Sequence, residues 1–117
     1  MTALREVCLL ISKSGAILWS DVGPSAAALP DSRERWEAIW KYRQELAEVA
    51  HSHPIGPRGF SLEDETTIAA LDAALGRALR FSVLAPDGLV VRDEGKVFLW
   101  DERPWWAGLL QRASGMD

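Results

Sequence analysis

Residues 46–85 read LAEVAHSHPIGPRGFSLEDETTIAALDAALGRALRFSVLA, and this passage decides the fold class. LAEVAH alternates as a strand does and delivers His51 at its end. PIGPRG is a loop by its glycines and prolines. Ser61 then opens a helix whose apolar positions Ile68, Leu71, Ala74 and Leu75 share one face, and Gly76 suits its C-terminal stop. LRFSVLA returns to strand. The result is a strand–helix–strand passage.

Outward from this passage, Val7 to Ile11 and the AILWS segment read as two strands of a hairpin turning at SKSG. DVGPSAAALPD is a loop. Ser32 to Arg43 has helical period through Trp36, Ile39, Trp40 and Arg43, with Asp31 or Ser32 as N-cap. After LRFSVLA, Pro86-Asp87-Gly88 turns into LVVR, and Asp93-Glu94-Gly95 turns into KVFLW. Pro104 suits the first turn of a short helix, WWAGLLQRA. Hairpins together with a strand–helix–strand passage predict an α/β or α+β fold built on one mixed β-sheet flanked by helices.

The chain has 117 residues, 48% of them hydrophobic, and a formal net charge of −4. Such a length and composition suit one globular domain, residues 1–117, and the charge gives no basic footprint for nucleic acid. No apolar run is long enough for a bilayer and MTALRE lacks a signal-peptide core, so a soluble cytoplasmic protein without a membrane partner is expected. A single cysteine, Cys8, excludes an internal disulfide and a cysteine-cluster zinc site.

Both histidines of the chain lie in HSHPIGPRGFSLED. Side chains at i and i+2 of a strand point the same way, so His51 and His53 offer two imidazoles to one point. Asp64, in the first turn of the helix opened by Ser61, is a plausible third donor. Catalytic zinc typically takes three protein ligands and leaves a fourth position open. The competing reading is a pair of surface histidines followed by a capping-type helix start at Ser61 and Asp64. A general base is not singled out by spacing. Glu48 lies three residues before His51 and faces the other way, while Glu34, Glu37 and Glu45 belong to the wet side of a helix and Glu6 heads the first strand.

The pattern H-x-H-P, six residues, S-x-x-D is met without a gap by His51, His53, Pro54, Ser61 and Asp64. It closely resembles the signature of the JAMM zinc metalloprotease family, the JAB/MPN domain. The resemblance implies a β-sheet flanked by helices, of cytidine-deaminase-like architecture, over nearly the whole chain. It implies one Zn2+ per chain on His51, His53 and Asp64, with Ser61 donating to the oxyanion. The family's Glu-x-Cys-Gly segment is matched by Glu6, Val7, Cys8 and the apolar Leu10, with Leu9 in place of the glycine, and implies Glu6 as general base. The implied activity is hydrolysis of a peptide or isopeptide bond after a ubiquitin-like or sulfur-carrier protein with a Gly-Gly C-terminus. The absence of large insertions is expected of a compact, prokaryotic-type member.

A non-catalytic scaffold of the same fold is the alternative. An amidohydrolase barrel needs about twice this length, and a zinc nucleoside deaminase needs a Pro-Cys-x-x-Cys that the chain lacks. Cys8 reads as a buried small hydrophobe, not a nucleophile, because both histidines are committed elsewhere. Of the six tryptophans, Trp36 and Trp40 are expected in the core. Trp105 and Trp106 are expected in a tail packed on the domain, with a partner surface or homodimer interface as the alternative.

Overall fold

The computed structural model describes residues 3–116. Its elements are β1 (Val7–Ser12), β2 (Ile17–Val22), α1 (Arg33–Lys41), β3 (Leu46–Ser52), α2 (Leu62–Leu75), β4 (Arg80–Ala85), β5 (Gly88–Asp93), β6 (Lys96–Trp100) and α3 (Ala107–Ala113). The six strands form one mixed sheet in the order β2-β1-β3-β4-β5-β6. Only β3 and β4 pair in parallel, joined through α2; the other neighbours are antiparallel. The protein is therefore α+β. Among the described residues, no helix is long and apolar enough to cross a membrane.

The helix boundaries follow local chemistry. Ser32 caps α1 by accepting from the Arg35 N–H, and Ser61 caps α2 by accepting from the Asp64 N–H. Gly76 ends α2 in the left-handed conformation with φ 68°, a position where a Cβ is penalised.

The sheet is covered on both sides. On one side Cys8, Leu10, Val49 and Phe81 pack against Ala38 and Ile39 of α1 and Ile68 and Leu71 of α2. On the other, Val7, Leu9, Ala50, Leu84 and Val91 pack against Trp106, Ala107 and Leu110. This double cover corrects the simple alternation expected of LAEVAH. Leu46, Glu48, Val49, Ala50 and Ser52 are all buried because β3 lies inside the sheet with helices over both faces.

Two other expectations are corrected. Trp40 is 57% exposed: it sits in the last turn of α1, where the Arg43 guanidinium stacks 4.3 Å from its ring. Ala74 is exposed although Ile68 and Leu71 of the same helix are buried, because the buried stripe of α2 is narrower than the sequence pattern. Trp36 is partly buried against the core as expected.

The C-terminal tail packs on its own sheet. Trp106 is 3% exposed and Leu110 fully buried, whereas Trp105 is 60% exposed and only its indole N–H is tied, to the Gly15 carbonyl at 2.9 Å. Trp106→Ala is therefore expected to cost about 3–5 kcal/mol in urea unfolding, the usual loss for a buried aromatic. Trp105→Ala, at an exposed site, should stay within about 1 kcal/mol. Equal effects of the two substitutions would contradict this packing.

Candidate metal centre

The site forms where β1 begins and β3 ends, on the α2 side of the sheet. Cys8 lies directly opposite His51 in the antiparallel β1–β3 pair. Continuing that register two steps sets Glu6 opposite His53, and cross-strand partners share a face. Glu6, His51 and His53 accordingly bring their donor atoms within 4.8 Å of one another, the group of metal-binding type found among the described residues. The His53 backbone N–H donates to the Leu84 carbonyl at 2.8 Å, so β4 holds the chain in line just past the end of β3.

Asp64 arrives from α2. The His51 and His53 Nε2 atoms lie 3.0 Å apart, and the Asp64 carboxylate oxygens lie 3.1 Å from the first and 3.3 Å from the second. Asp64 is itself fixed by the capping box: the Ser61 N–H donates to its Oδ2 at 2.8 Å, and its own N–H donates to Ser61 Oγ at 3.1 Å. The sequence offered a choice between a capping start and a donor at Asp64. The structure shows the cap, with the same carboxylate also turned onto both imidazoles.

The donor set suits a metal ion. His53 Nδ1 lies 2.9 Å from the Pro57 carbonyl, which fixes the proton on Nδ1 and leaves the Nε2 lone pair facing inward. Lone pairs crowded this closely repel unless a proton or a cation sits among them. Metal bonds of about 2.0–2.1 Å in a tetrahedron separate ligand atoms by about 3.3 Å, close to the spacings seen here. Two imidazoles and a carboxylate suit Zn2+ and also other divalent first-row ions.

The electrostatics carry the same signature. Burial works to raise the Asp64 pKa, but the hydrogen bonds of His51 and His53, the His51 charge and the Ser61 N–H outweigh it and hold the carboxyl well below its usual range. Burial works to lower the His53 pKa; the Asp64 bond, the Pro57 carbonyl and the Asp64 and Glu6 charges reverse it and raise it. Burial raises the Glu6 pKa, and the two imidazoles offset part of that rise. A raised pKa makes a carboxylate a stronger proton acceptor than an unperturbed one.

The other glutamates are elsewhere. Glu48 faces the α3 side, where Ser82 Oγ donates to it at 2.5 Å and Arg80 Nε lies at 3.9 Å. Glu34 and Glu45 are exposed, and Glu37 pairs with Arg33 on the surface of α1. Cys8 is 2% exposed, and burial pushes its thiol up to about 12, so it is uncharged at neutral pH.

Two contributors were not singled out in the sequence. Gly23 donates its N–H to the Glu6 carbonyl at 2.7 Å, and the Glu6 N–H donates to the Ser25 carbonyl at 2.9 Å, so the loop after β2 clamps the Glu6 backbone. A Cβ at Gly23 would lie 2.5 Å from the Ala28 carbonyl oxygen, too close for any side chain. The other is the Pro57 carbonyl on His53. The Gly-Pro pair in the DVGP segment marked a loop, but nothing local said which backbone it would touch.

A cleft of about 720 Å³ opens from the centre between α1 and α2, with Leu29, Trp36, Ile39, Phe60 and Ile68 among its walls. An apolar hollow ending at a few convergent polar groups is the usual form of a ligand site. No family model matches the chain, and no curated protein matches it in sequence.

Proposed function

We propose that this protein is a zinc-dependent metallopeptidase of the JAMM type, hydrolysing a peptide or isopeptide bond after a ubiquitin-like or sulfur-carrier protein with a Gly-Gly C-terminus. The observation that carries the reading is the clustering of Glu6, His51 and His53 within 4.8 Å of one another, with the Asp64 carboxylate from α2 against both imidazoles. The helix-flanked mixed sheet is compatible with the JAB/MPN architecture.

His51, His53 and Asp64 are the three ligands, since the Asp64 oxygens lie against both Nε2 atoms and the rings are held by strand and loop. A zinc ion held by them would supply Lewis-acid polarisation of the scissile carbonyl and would acidify water toward a pKa of about 7. Glu6 takes a proton from the attacking water and returns it to the departing amine. Ser61 Oγ already accepts from the Asp64 N–H, which leaves its own O–H to donate to the oxyanion. The Ser61 N–H keeps Asp64 in place throughout.

The test is a fusion of a Gly-Gly-terminated ubiquitin-like protein to a reporter peptide. Zinc-loaded protein is expected to release the reporter at the Gly-Gly junction, to stop when a chelator removes the metal, and to resume on adding zinc. Release unaffected by complete metal removal would exclude the mechanism. Binding of the fusion without release would favour a scaffold of the same fold.

A further inference from the structure

β6 is the outer strand of the sheet, and Val97, Phe98 and Leu99 on it are 55, 40 and 59% exposed. Its two faces are both apolar. Val97 and Leu99 pair with Arg92 and Val90 on the α2 side, where Arg92 bonds Glu65 of α2. Phe98 and Trp100 pair with Val91 and Leu89, both packed in the α3-side core. Edge strands are ordinarily blunted by a charge, a proline or a bulge. From Val97 to Trp100 this one has none of them.

The direction of its unpaired backbone groups follows from the turn. Glu94 and Gly95, with φ of 51° and 78°, form a two-residue hairpin loop closed by Asp93 and Lys96. The closing pair exchanges hydrogen bonds, and hydrogen-bonded and non-hydrogen-bonded pairs then alternate along the ladder. Lys96, Phe98 and Trp100 thus bond to β5, while Val97 and Leu99 direct their N–H and C=O groups to the open edge.

We propose that this edge pairs with β6 of a second copy of the chain, antiparallel, about a two-fold axis through Phe98. The outward groups at Val97 and Leu99 are placed symmetrically about Phe98, so one strand is complementary to itself. In this register Val97 of each copy exchanges hydrogen bonds with Leu99 of the other, and the two Phe98 rings meet at the axis. Lys96 of each copy comes opposite Trp100 of the other and diagonal to its exposed Glu102, an opposite-charge neighbour at each end of the pairing. Val97, Phe98 and Leu99 of each copy then pack side by side against the same residues of the other, which removes part of their exposed apolar surface. A closed two-fold contact also ends the growth that an open edge invites. The inference is independent of the metal centre.

Such a contact is at the small end of stable interfaces, so light scattering on the full chain between about 1 μM and 0.1 mM should show a rise from one chain to two. Leu99→Lys should hold the protein at one chain throughout with an unchanged melting temperature, since Leu99 is already exposed. Phe98→Cys should form a disulfide-linked dimer on mild oxidation, because a non-hydrogen-bonded pair sets Cα atoms about 4.5 Å apart, within disulfide range. Cys8 is buried and does not compete. Val97→Cys should cross-link with Leu99→Cys in a mixture far better than with itself. A single chain at every concentration, or a dimer that survives Leu99→Lys, overturns the proposal. A dimer without the Phe98→Cys cross-link overturns the two-fold register.

Discussion

Glu6→Gln is expected to keep its zinc and its fold while losing about 10²–10⁴-fold in turnover of the Gly-Gly fusion, the usual worth of a positioned acid–base group. That corresponds to about 3–5 kcal/mol of transition-state stabilisation. The amide fills the same space as the carboxylate, and the Glu6 backbone stays clamped by Gly23 and Ser25. What it removes is the ability to accept a proton. Glu48→Gln is the control. Its side chain lies on the opposite side of the sheet with Ser82 and Arg80, so turnover per folded molecule should change little. Steady-state turnover and elemental analysis on the same preparations separate the two properties. A Glu6→Gln variant that cleaves at the wild-type rate would mean that another group takes the proton.

The ligand variants should show the reverse pattern. Wild-type protein is expected to carry about one zinc per chain, and His51→Ala and His53→Ala should each weaken binding by more than about 100-fold, beyond the loss typical of outer partners. Asp64 needs two substitutions because it serves two purposes. Asp64→Ala removes a donor and also half of the capping box, so about 1 kcal/mol of stability should go with the zinc. Asp64→Asn keeps an acceptor for the Ser61 N–H and removes the negative charge facing both imidazoles. It should therefore melt close to wild type and still lose most of its zinc. Full zinc in all of these variants would move the centre elsewhere.

Much of this protein is set by patterns that act over a few residues, and those are legible in the sequence. Ser32, Ser61 and Gly76 mark helix ends because capping is a contact between a residue and the backbone three or four positions away. The turns at Ser12–Gly15 and Glu94–Gly95 follow from the same short-range chemistry. His51 and His53 share a face through strand parity alone, and Asp64 falls in the first turn of α2 by counting from its cap.

The tertiary structure decided what depends on distant backbone. Residue patterns left several glutamates open as the base, and resemblance alone pointed to Glu6. The β1–β3 register is what brings Glu6 across from His53, over a stretch of sequence that includes β2 and α1, and sets it beside the two imidazoles. The clamp of the loop after β2 on the Glu6 backbone is likewise a contact between distant segments, invisible to local spacing. Trp40 and Ala74 have core-like spacing yet lie exposed, because helical periodicity says which side a residue is on but not how far its neighbour extends. β6 reads as an ordinary strand in KVFLW. Only its place at the end of the sheet, with no helix reaching over it, leaves Val97, Phe98 and Leu99 uncovered.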